Sequence, residues 1–447
     1  MDSQSQLFAK YDVPAPRYTS YPTVPYWKDA PTQQEWFSHL KKGLFSSAWS
    51  MYIHIPFCES LCTFCGCNNI ITKDHQKESP YVTDLLTEWA LYTQSVPELK
   101  TTPLQNLHLG GGTPTFLSAM ELERLLMPIL KSTTVSSRFE GSIEVDPRRT
   151  DADQLRVLRD LGFSRVSLGV QDFNPEIQRL VNRNQSFEET KKITEVSREL
   201  GYSSINFDLI YGLARQTIGT MKETIEKTKQ LRPDRIALYS FALVPWIKPA
   251  QRLFKDEDLP TGKEKRALYE FARTELLNSG YVEVGMDHFA LKEEALSLAL
   301  KKKTLHRNFM GYTDQRTEVM LGLGVSSISE TPDSFHQNEK VLTKYQELLK
   351  KNKIPTSRGH VHSLEDKIRR SQILTLMTTS EVNIQENQVN EAHEFLAEML
   401  KDGLVQLENT TLKITDKGKP FLRNLCLFFD EHLKKNKPET RLFSQSV

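Results

Sequence analysis

The sequence predicts an α/β protein: an open or partial parallel (β/α) barrel with a polar interior, preceded by an extended arm and followed by a mainly helical domain. Three observations carry that expectation. Strand-like runs alternate with helical stretches from about residue 49 to residue 250, the pattern of repeated parallel βα units. Within those runs polar or small residues alternate with apolar ones at a period of two, so each strand has two unlike faces. After about residue 250 the alternation changes, and from about residue 361 the chain is helical and charged.

Taken in order, residues 1–48 contain "YDVPAPRYTSYPTVPYW". Each proline biases its predecessor toward extended geometry, so this segment reads as an extended arm and not a helix. Residues 49–360 form the barrel with its extensions. Its strands are expected at "SMYIHIPF", "LQNLHLGG", "GSIEVDP", "RVSLGVQDF", "SINFDLIYG" and "RIALYSFAL", separated by helices such as "YVTDLLTEWALY" and "SFEETKKITEVSRELG". Further on, "GKEKRALYEFARTELLNSGYVEVGMDHFA" reads as a helix and a strand, and "HRNFMGYT" and "LGLGVSSIS" as loop or strand pieces. Residues 361–447 end in a helix, a short hairpin, "TDKG" and a helix, the order of a winged-helix unit. Such units bind DNA or serve as structural caps, and without a basic stripe the structural reading is preferred.

One strand face holds polar or small residues throughout: Tyr52 and His54; Asn106, His108 and Gly110; Ser142, Glu144 and Asp146; Ser167, Gly169 and Gln171; Asn206 and Asp208. A closed parallel barrel normally fills its inside with Val, Ile and Leu. A polar inside therefore calls for a polar ligand, with chemistry at the C-terminal strand ends.

Composition narrows the class. With 447 residues, 38% hydrophobic and 26% charged, the chain has the balance of a globular protein with two or three domains. Lys+Arg (58) nearly cancel Asp+Glu (57), so no global field favours nucleic acid or an anionic membrane. No apolar run approaches the ~20 residues that span a bilayer, and no signal peptide is visible, so a cytoplasmic location is expected.

Four of the five cysteines, Cys58, Cys62, Cys65 and Cys67, crowd into "HIPFCESLCTFCGCN", directly after the first strand. In a reducing compartment such clusters indicate metal or redox work over disulfides. A structural zinc site prefers two separated ligand pairs, which this loop lacks. The spacing CxxxCxxC offers three thiolates, enough for three irons of a cubane cluster, with one iron left open to a chelating ligand. The glycine-rich turn "LGGGTPT" after the second strand lets backbone approach a ligand. Inward carboxylates on two strands of one barrel, Glu144 and Asp208, are costly to bury without a purpose.

CxxxCxxC followed by GGGTP resembles the radical S-adenosylmethionine (SAM) enzymes. More narrowly, "YIHIPFCESLCTFCGCNNI", "IEVDPR", "GVQDFN", "RLVNRNQ", "DLIYGL", "GMDHFA", "HRNF-GYT" and the arm motif "YDVPAPRYTSYPT" resemble the oxygen-independent coproporphyrinogen III oxidases, from about residue 11 to residue 430. Their relatives that act as heme-binding chaperones lack the arm and the CxC ending, both present here. The resemblance implies the radical SAM type of partial barrel and one [4Fe–4S] cluster on Cys58, Cys62 and Cys65, with Cys67 not a ligand. It implies two SAM molecules, whose reductive cleavage yields a 5′-deoxyadenosyl radical, and coproporphyrinogen III as substrate. Two propionates become vinyl groups, giving protoporphyrinogen IX.

The same resemblance places Tyr52, Gly111, Glu144 and Ile328 at the cluster-bound SAM. It places Phe64, Gly112, Thr113, Gln171, Arg183, Asp208 and Ala242 at a second SAM. His54, one strand step from Tyr52, is expected to touch substrate or the cluster environment, and Tyr52, His54 and Glu144 form the expected catalytic set. Arg17, Arg307 and Phe309 are the substrate-contact candidates, because a tetra-acid needs cations. An electron donor and an electron acceptor of unidentified nature are implied, with no nucleic acid, no membrane and a monomeric state. Two positions depart from the family pattern: Met310 replaces an amide in "HRNFMGYT", and Ala214 stands in "YGLARQT".

Overall fold

The computed structural model describes residues 3–28, 30–45, 48–438 and 442–446. Six strands lie where the alternation places them: β1 Trp49–Ile55, β2 Leu104–Gly111, β3 Val135–Val145, β4 Phe163–Gln171, β5 Ser204–Tyr211 and β6 Arg235–Ser240. They pair in that order and all in parallel, because a crossover helix returns the chain between each pair. Side-chain caps fix where these helices start. Asp151 with Gln154, Ser186 with Glu189 and Thr217 with Thr220 form reciprocal capping boxes at three of them.

Later segments widen the sheet to twelve strands. β7 Tyr281–Val284 and β8 His288–Leu291 form an antiparallel hairpin that joins β6 through β8. On the other side β9 Val319–Leu323 pairs parallel with β1, and β10 Ile328–Glu330, β11 Ser334–Asn338 and β12 Thr356–Val361 continue outward antiparallel. The resulting order is β12–β11–β10–β9–β1–β2–β3–β4–β5–β6–β8–β7. Among the described residues no strand pairing joins β12 to β7, so the barrel is partial.

The apolar strand face packs outward. Ile53, Leu107, Leu109, Ile143, Leu168, Phe207 and Leu209 are fully buried in one core with helix residues such as Leu85, Leu122, Leu126 and Met221. Each such side chain stabilises the fold by ~1.5–3 kcal/mol, and their alternates are thereby forced inward. No described helix is long and apolar enough to cross a membrane.

The arm departs from its expected extended form at both ends. Ser3–Tyr11 and Gln33–Leu44 are α-helices. The prolines are confined to positions 14–31, and just past the last of them Thr32 and Glu35 form a capping box. Trp36, Leu40 and Leu44, spaced every four residues, then enter the main core. Replacing Thr32 by Ala is expected to cost about 1 kcal/mol of stability in thermal or denaturant unfolding.

The C-terminal region has a second core built on the helix Leu364–Thr379 and a three-stranded sheet of Glu381–Asn383, Thr411–Ile414 and Val405–Glu408. This is the helix-and-hairpin arrangement of a winged-helix-like unit. Arm residues Leu7, Tyr18 and Tyr21 belong to the same core. The buried Arg423 guanidinium donates to the backbone carbonyls of Ala15 and Pro16. Lys28 exchanges backbone hydrogen bonds of 2.9 and 2.8 Å with Gly359 and so covers the open edge at β12. The arm is thus woven into the C-terminal unit as well as the barrel.

Candidate active site

The inward strand faces and the loops at their C-terminal ends enclose a cavity of about 530 Å³. Register sets its layers. His108 faces Ser142, and Glu144, Ser167 and Asn206 stand side by side on β3, β4 and β5, with Gly169 and Asp208 one step further. Near the N-terminal strand ends Arg165 pairs with Glu140 at 2.6 Å, and Arg235 with Glu294. Charges at that depth require such partners.

The cysteine loop closes the C-terminal end. Residues Phe57–Cys58 and Ile70–Ile71 pair in parallel and pinch its two ends together, and Ile70 N donates to Pro56 O at 2.7 Å. Across the mouth, Thr63 N donates to Val181 O at 3.1 Å and Asn182 Nδ2 to Leu61 O at 2.7 Å. Cys58, Cys62, Cys65 and Cys67 all line the cavity. Thr113 Oγ1 donates to Cys58 Sγ at 3.4 Å, Arg183 Nη1 to Cys62 Sγ at 3.7 Å and Asn69 Nδ2 to Cys65 Sγ at 3.4 Å. Three donors therefore point at the three thiols expected to act as ligands. Burial pushes the Cys58 thiol up to about 11, whereas the hydrogen bond from Cys67 holds the Cys65 thiol down, at about 6.

The glycine turn lies against this loop. Gly112 N donates to Ile55 O at 2.8 Å and Thr113 N to Phe57 O at 2.9 Å. A Cβ on Gly112 would sit 2.6 Å from Pro56 O, and Gly111 has φ +117°. Only glycine fits either position. Gly112→Ala is expected to keep the iron but weaken SAM binding five- to hundredfold, the equivalent of about 1–3 kcal/mol of overpacking. Anaerobic calorimetry with iron analysis checks this, and unchanged SAM affinity would contradict it. Glu144 accepts from Gly111 N at 3.2 Å and lies 3.4 Å from His108 Nε2. Burial pushes its carboxyl up, but His108 and the Gly111 N–H outweigh that and hold it below its ordinary value.

Further round the barrel, Gln171 ends β4 in a left-handed conformation (φ 69°), where the register with β5 slips by one residue. The slip keeps Gln171 on the cavity wall. Arg183 donates to Gly169 O at 2.6 Å and pairs with Asp146 at 3.5 Å, while its buried Nε has no partner. Asp208 does not pair with Arg183. Its carboxylate accepts from Ser167 at 2.9 Å and Asn206 at 3.0 Å. Burial, reinforced by the charge of Glu144, pushes it up to about 6. Phe64 and Ala242 are held together by Gln251, whose amide donates to both carbonyl oxygens at 3.2 Å. Gln251 was not anticipated, since nothing in its local sequence marks it. The Arg148–Asp146 pair (2.6 Å) was also missed. Its position after β3, in "DPRRT", is a strand end where site residues gather.

Other expected site residues stand outside the cavity lining. Tyr52 bonds His54 Nδ1 at 2.9 Å and stacks on His108 at 5.9 Å, and His54 Nε2 meets Asn68 O at 2.9 Å. These two brace the wall from β1. Ile328 and Phe309 pack with Trp27 and Phe335 instead. Arg17 pairs with Asp287 and lies 5.6 Å over Tyr239, and Arg307 donates to Arg17 O and lies 4.6 Å over Tyr312. Tyr239 and Tyr312 line the cavity, so both cations support an aromatic wall from behind. Arg17→Ala leaves the buried Asp287 with His288 as its remaining side-chain partner. A loss of roughly 2–4 kcal/mol is expected, discounted because Arg17 is partly exposed. An unfolding midpoint within a degree of the parent would contradict this.

Three thiols on one wall, the unpartnered Arg183 Nε and a glycine turn too close for any Cβ fit an iron–sulfur cluster with a polar ligand beside it. A partial parallel barrel with this loop after its first strand defines a radical SAM enzyme. The Radical SAM superfamily model matches residues 52–228. The chain is 36% identical, over its full length, to the oxygen-independent coproporphyrinogen III oxidase of Synechocystis sp., covering 98% of that protein. It is 37% identical to the protein of that name from Escherichia coli, covering 99% of it. The solved structure of the Escherichia coli coproporphyrinogen III oxidase HemN superposes with a TM-score of 0.88 over 93% of this chain and 98% of that one. The chain belongs to the oxygen-independent coproporphyrinogen III oxidase family, whose cofactors are a [4Fe–4S] cluster and SAM.

Proposed function

We propose that the chain oxidises coproporphyrinogen III anaerobically to protoporphyrinogen IX. In each of two rounds a propionate side chain loses one hydrogen atom from its β-carbon, then CO2 and one further electron, and a vinyl group remains. The observation that carries this reading is the convergence of Cys58, Cys62 and Cys65 with Glu144 and the Gly111–Gly112 turn on one polar cavity. When bound, the cluster and SAM supply the organic radical that takes the hydrogen atom. Cys58, Cys62 and Cys65 would hold the cluster through three of its irons, with Cys67 outside the ligand set.

Glu144 and the glycine turn orient one SAM, with Tyr52 and His54 as supports. Gln171, Arg183, Asp208, Phe64, Thr113 and Ala242 hold a second. Arg183 suits a carboxylate, and Asp208 offsets an ammonium or sulfonium charge. The wall of Tyr239 and Tyr312 offers aromatic faces to a pyrrole ring. Met310 lines the same cavity at the tip of the hairpin His306–Asn308 and Gly311–Thr313. It can offer the substrate apolar contact but no amide hydrogen bond. Electrons enter from a separate donor and leave to a separate acceptor, and the chain acts in the cytoplasm.

The reading is tested by anaerobic incubation with SAM, dithionite and coproporphyrinogen III. Two CO2 and two vinyl groups are expected per tetrapyrrole. SAM cleavage with the tetrapyrrole unchanged would overturn it.

A further inference from the structure

Outside the cavity lining, three side chains from three elements converge. His360 lies on β12, Asp366 in the first turn of the helix Leu364–Thr379, and His432 on the C-terminal helix Glu431–Lys435. His360 Nε2 stands 2.9 Å from Asp366 Oδ2, and His432 Nε2 stands 2.7 Å from Asp366 Oδ1. The three donor atoms all lie within 4.8 Å of one another. We propose that His360, Asp366 and His432 form a zinc site that clasps the edge of the barrel sheet to both ends of the C-terminal domain.

The donor set is right for zinc. Two imidazole nitrogens and one carboxylate oxygen suit a borderline divalent ion, and a fourth position is left for water. The imidazole planes are nearly perpendicular, at 88° with centroids 5.5 Å apart, so the nitrogens approach the carboxylate from different directions. Tetrahedral bonds of about 2.0–2.1 Å separate neighbouring ligand atoms by about 3.4 Å. His432 Nε2 and Asp366 Oδ1, now 2.7 Å apart, need to widen by about 0.7 Å, and the three donor atoms already lie within 4.8 Å of one another.

Asp366 can serve without losing its structural task. Its Oδ2 accepts from Ser363 N at 2.9 Å and Ser363 Oγ at 2.8 Å, the cap of its own helix. Oδ1 has His432 alone and is the oxygen that turns to the ion. Each histidine turns its Nε2 to the carboxylate, and an ion bound there takes the place of the shared hydrogen. The rings are 17% and 27% exposed, which leaves a path for the ion. Tyr21 and Tyr26 of the arm pack on the His432 ring at 5.8 and 5.9 Å, so the clasp also bears on the arm.

A second feature borders the cluster. His362, two residues from His360 with ring centroids 5.7 Å apart, is 7% exposed, and its Nε2 is buried without a hydrogen-bond partner. Its Nδ1 is turned to Pro332 O at 3.1 Å, which leaves Nε2 the deprotonated nitrogen, the form that ligates metals.

The test uses cluster-loaded protein, so that iron already occupies the thiols. After incubation with zinc chloride and desalting, zinc and iron are counted by mass spectrometry and thermal unfolding is followed. The parent is expected to retain one zinc per chain with its iron unchanged, and its unfolding midpoint to rise by several degrees. His360→Gln and His432→Gln should each fall below 0.2 zinc per chain (about a fivefold loss) and lose the shift, whereas His432→Cys, which keeps a ligand, should retain both. Less than 0.2 zinc per chain in the parent (about a fifth of a site), or equal zinc in the parent and both glutamine variants, overturns the proposal.

Discussion

Replacing Cys58, Cys62 or Cys65 by alanine is expected to abolish the iron–sulfur absorbance and all turnover, while Cys67→Ala keeps the absorbance. Three thiolates are enough for three irons of a cubane cluster, and a missing fourth leaves the open iron that SAM requires. The contacts around the loop agree with that division, since Thr113, Arg183 and Asn69 each direct a donor to one of the three sulfurs. Cys67 lies on the same cavity wall, so proximity alone does not exclude it. Iron analysis of anaerobically reconstituted protein decides the matter. About four irons per chain are expected in Cys67→Ala and essentially none in the other three variants. Loss of the cluster in Cys67→Ala to the level of Cys62→Ala would sink the assignment.

Asp208→Asn is expected to spare the cluster and the first SAM but weaken a second binding event ten- to hundredfold, as the loss of a charge-assisted contact worth about 1.5–3 kcal/mol predicts. The site contains no Arg183–Asp208 ion pair to account for the carboxylate, because Arg183 is paired with Asp146. Acidity gives an independent check. With its pKa pushed up to about 6, Asp208 carries its charge only above that pH. Protonation removes the charge that offsets the ligand's cation. The second event should therefore weaken as pH falls from 7.5 through 6, and this dependence should vanish in Asp208→Asn. Anaerobic titration with SAM reads both effects. A stoichiometry of one per chain, identical in parent and variant, would refute two sites.

The six central strands were legible because alternation at period two is imposed by two unlike environments, the helix layer and the cavity. Glu144, Gln171 and Asp208 were legible for the same reason. The arm helices were hidden by prolines lying between them, although Thr32, Glu35 and the spacing of Trp36, Leu40 and Leu44 carried the signal. That Val319–Leu323 pairs parallel with β1 could not be read locally, since strand order is set by tertiary packing. Arg17 and Arg307 were expected to reach substrate as bare cations. Asp287 and Tyr239, which hold Arg17, come from distant segments, whereas Tyr312 stands across the same hairpin from Arg307. Gln251 was invisible because its role lies in backbone groups of Phe64, Ala242 and Val244, which its own local sequence does not reveal.

This cavity is expected to direct a radical to the β-carbon of a propionate. Coproporphyrinogen III deuterated at the propionate β-carbons, incubated anaerobically with cluster-loaded protein, SAM and dithionite, tests it most directly. The 5′-deoxyadenosine formed should contain deuterium, with one such molecule for each vinyl group. Unlabelled 5′-deoxyadenosine, or vinyl product formed without SAM consumption, would contradict it.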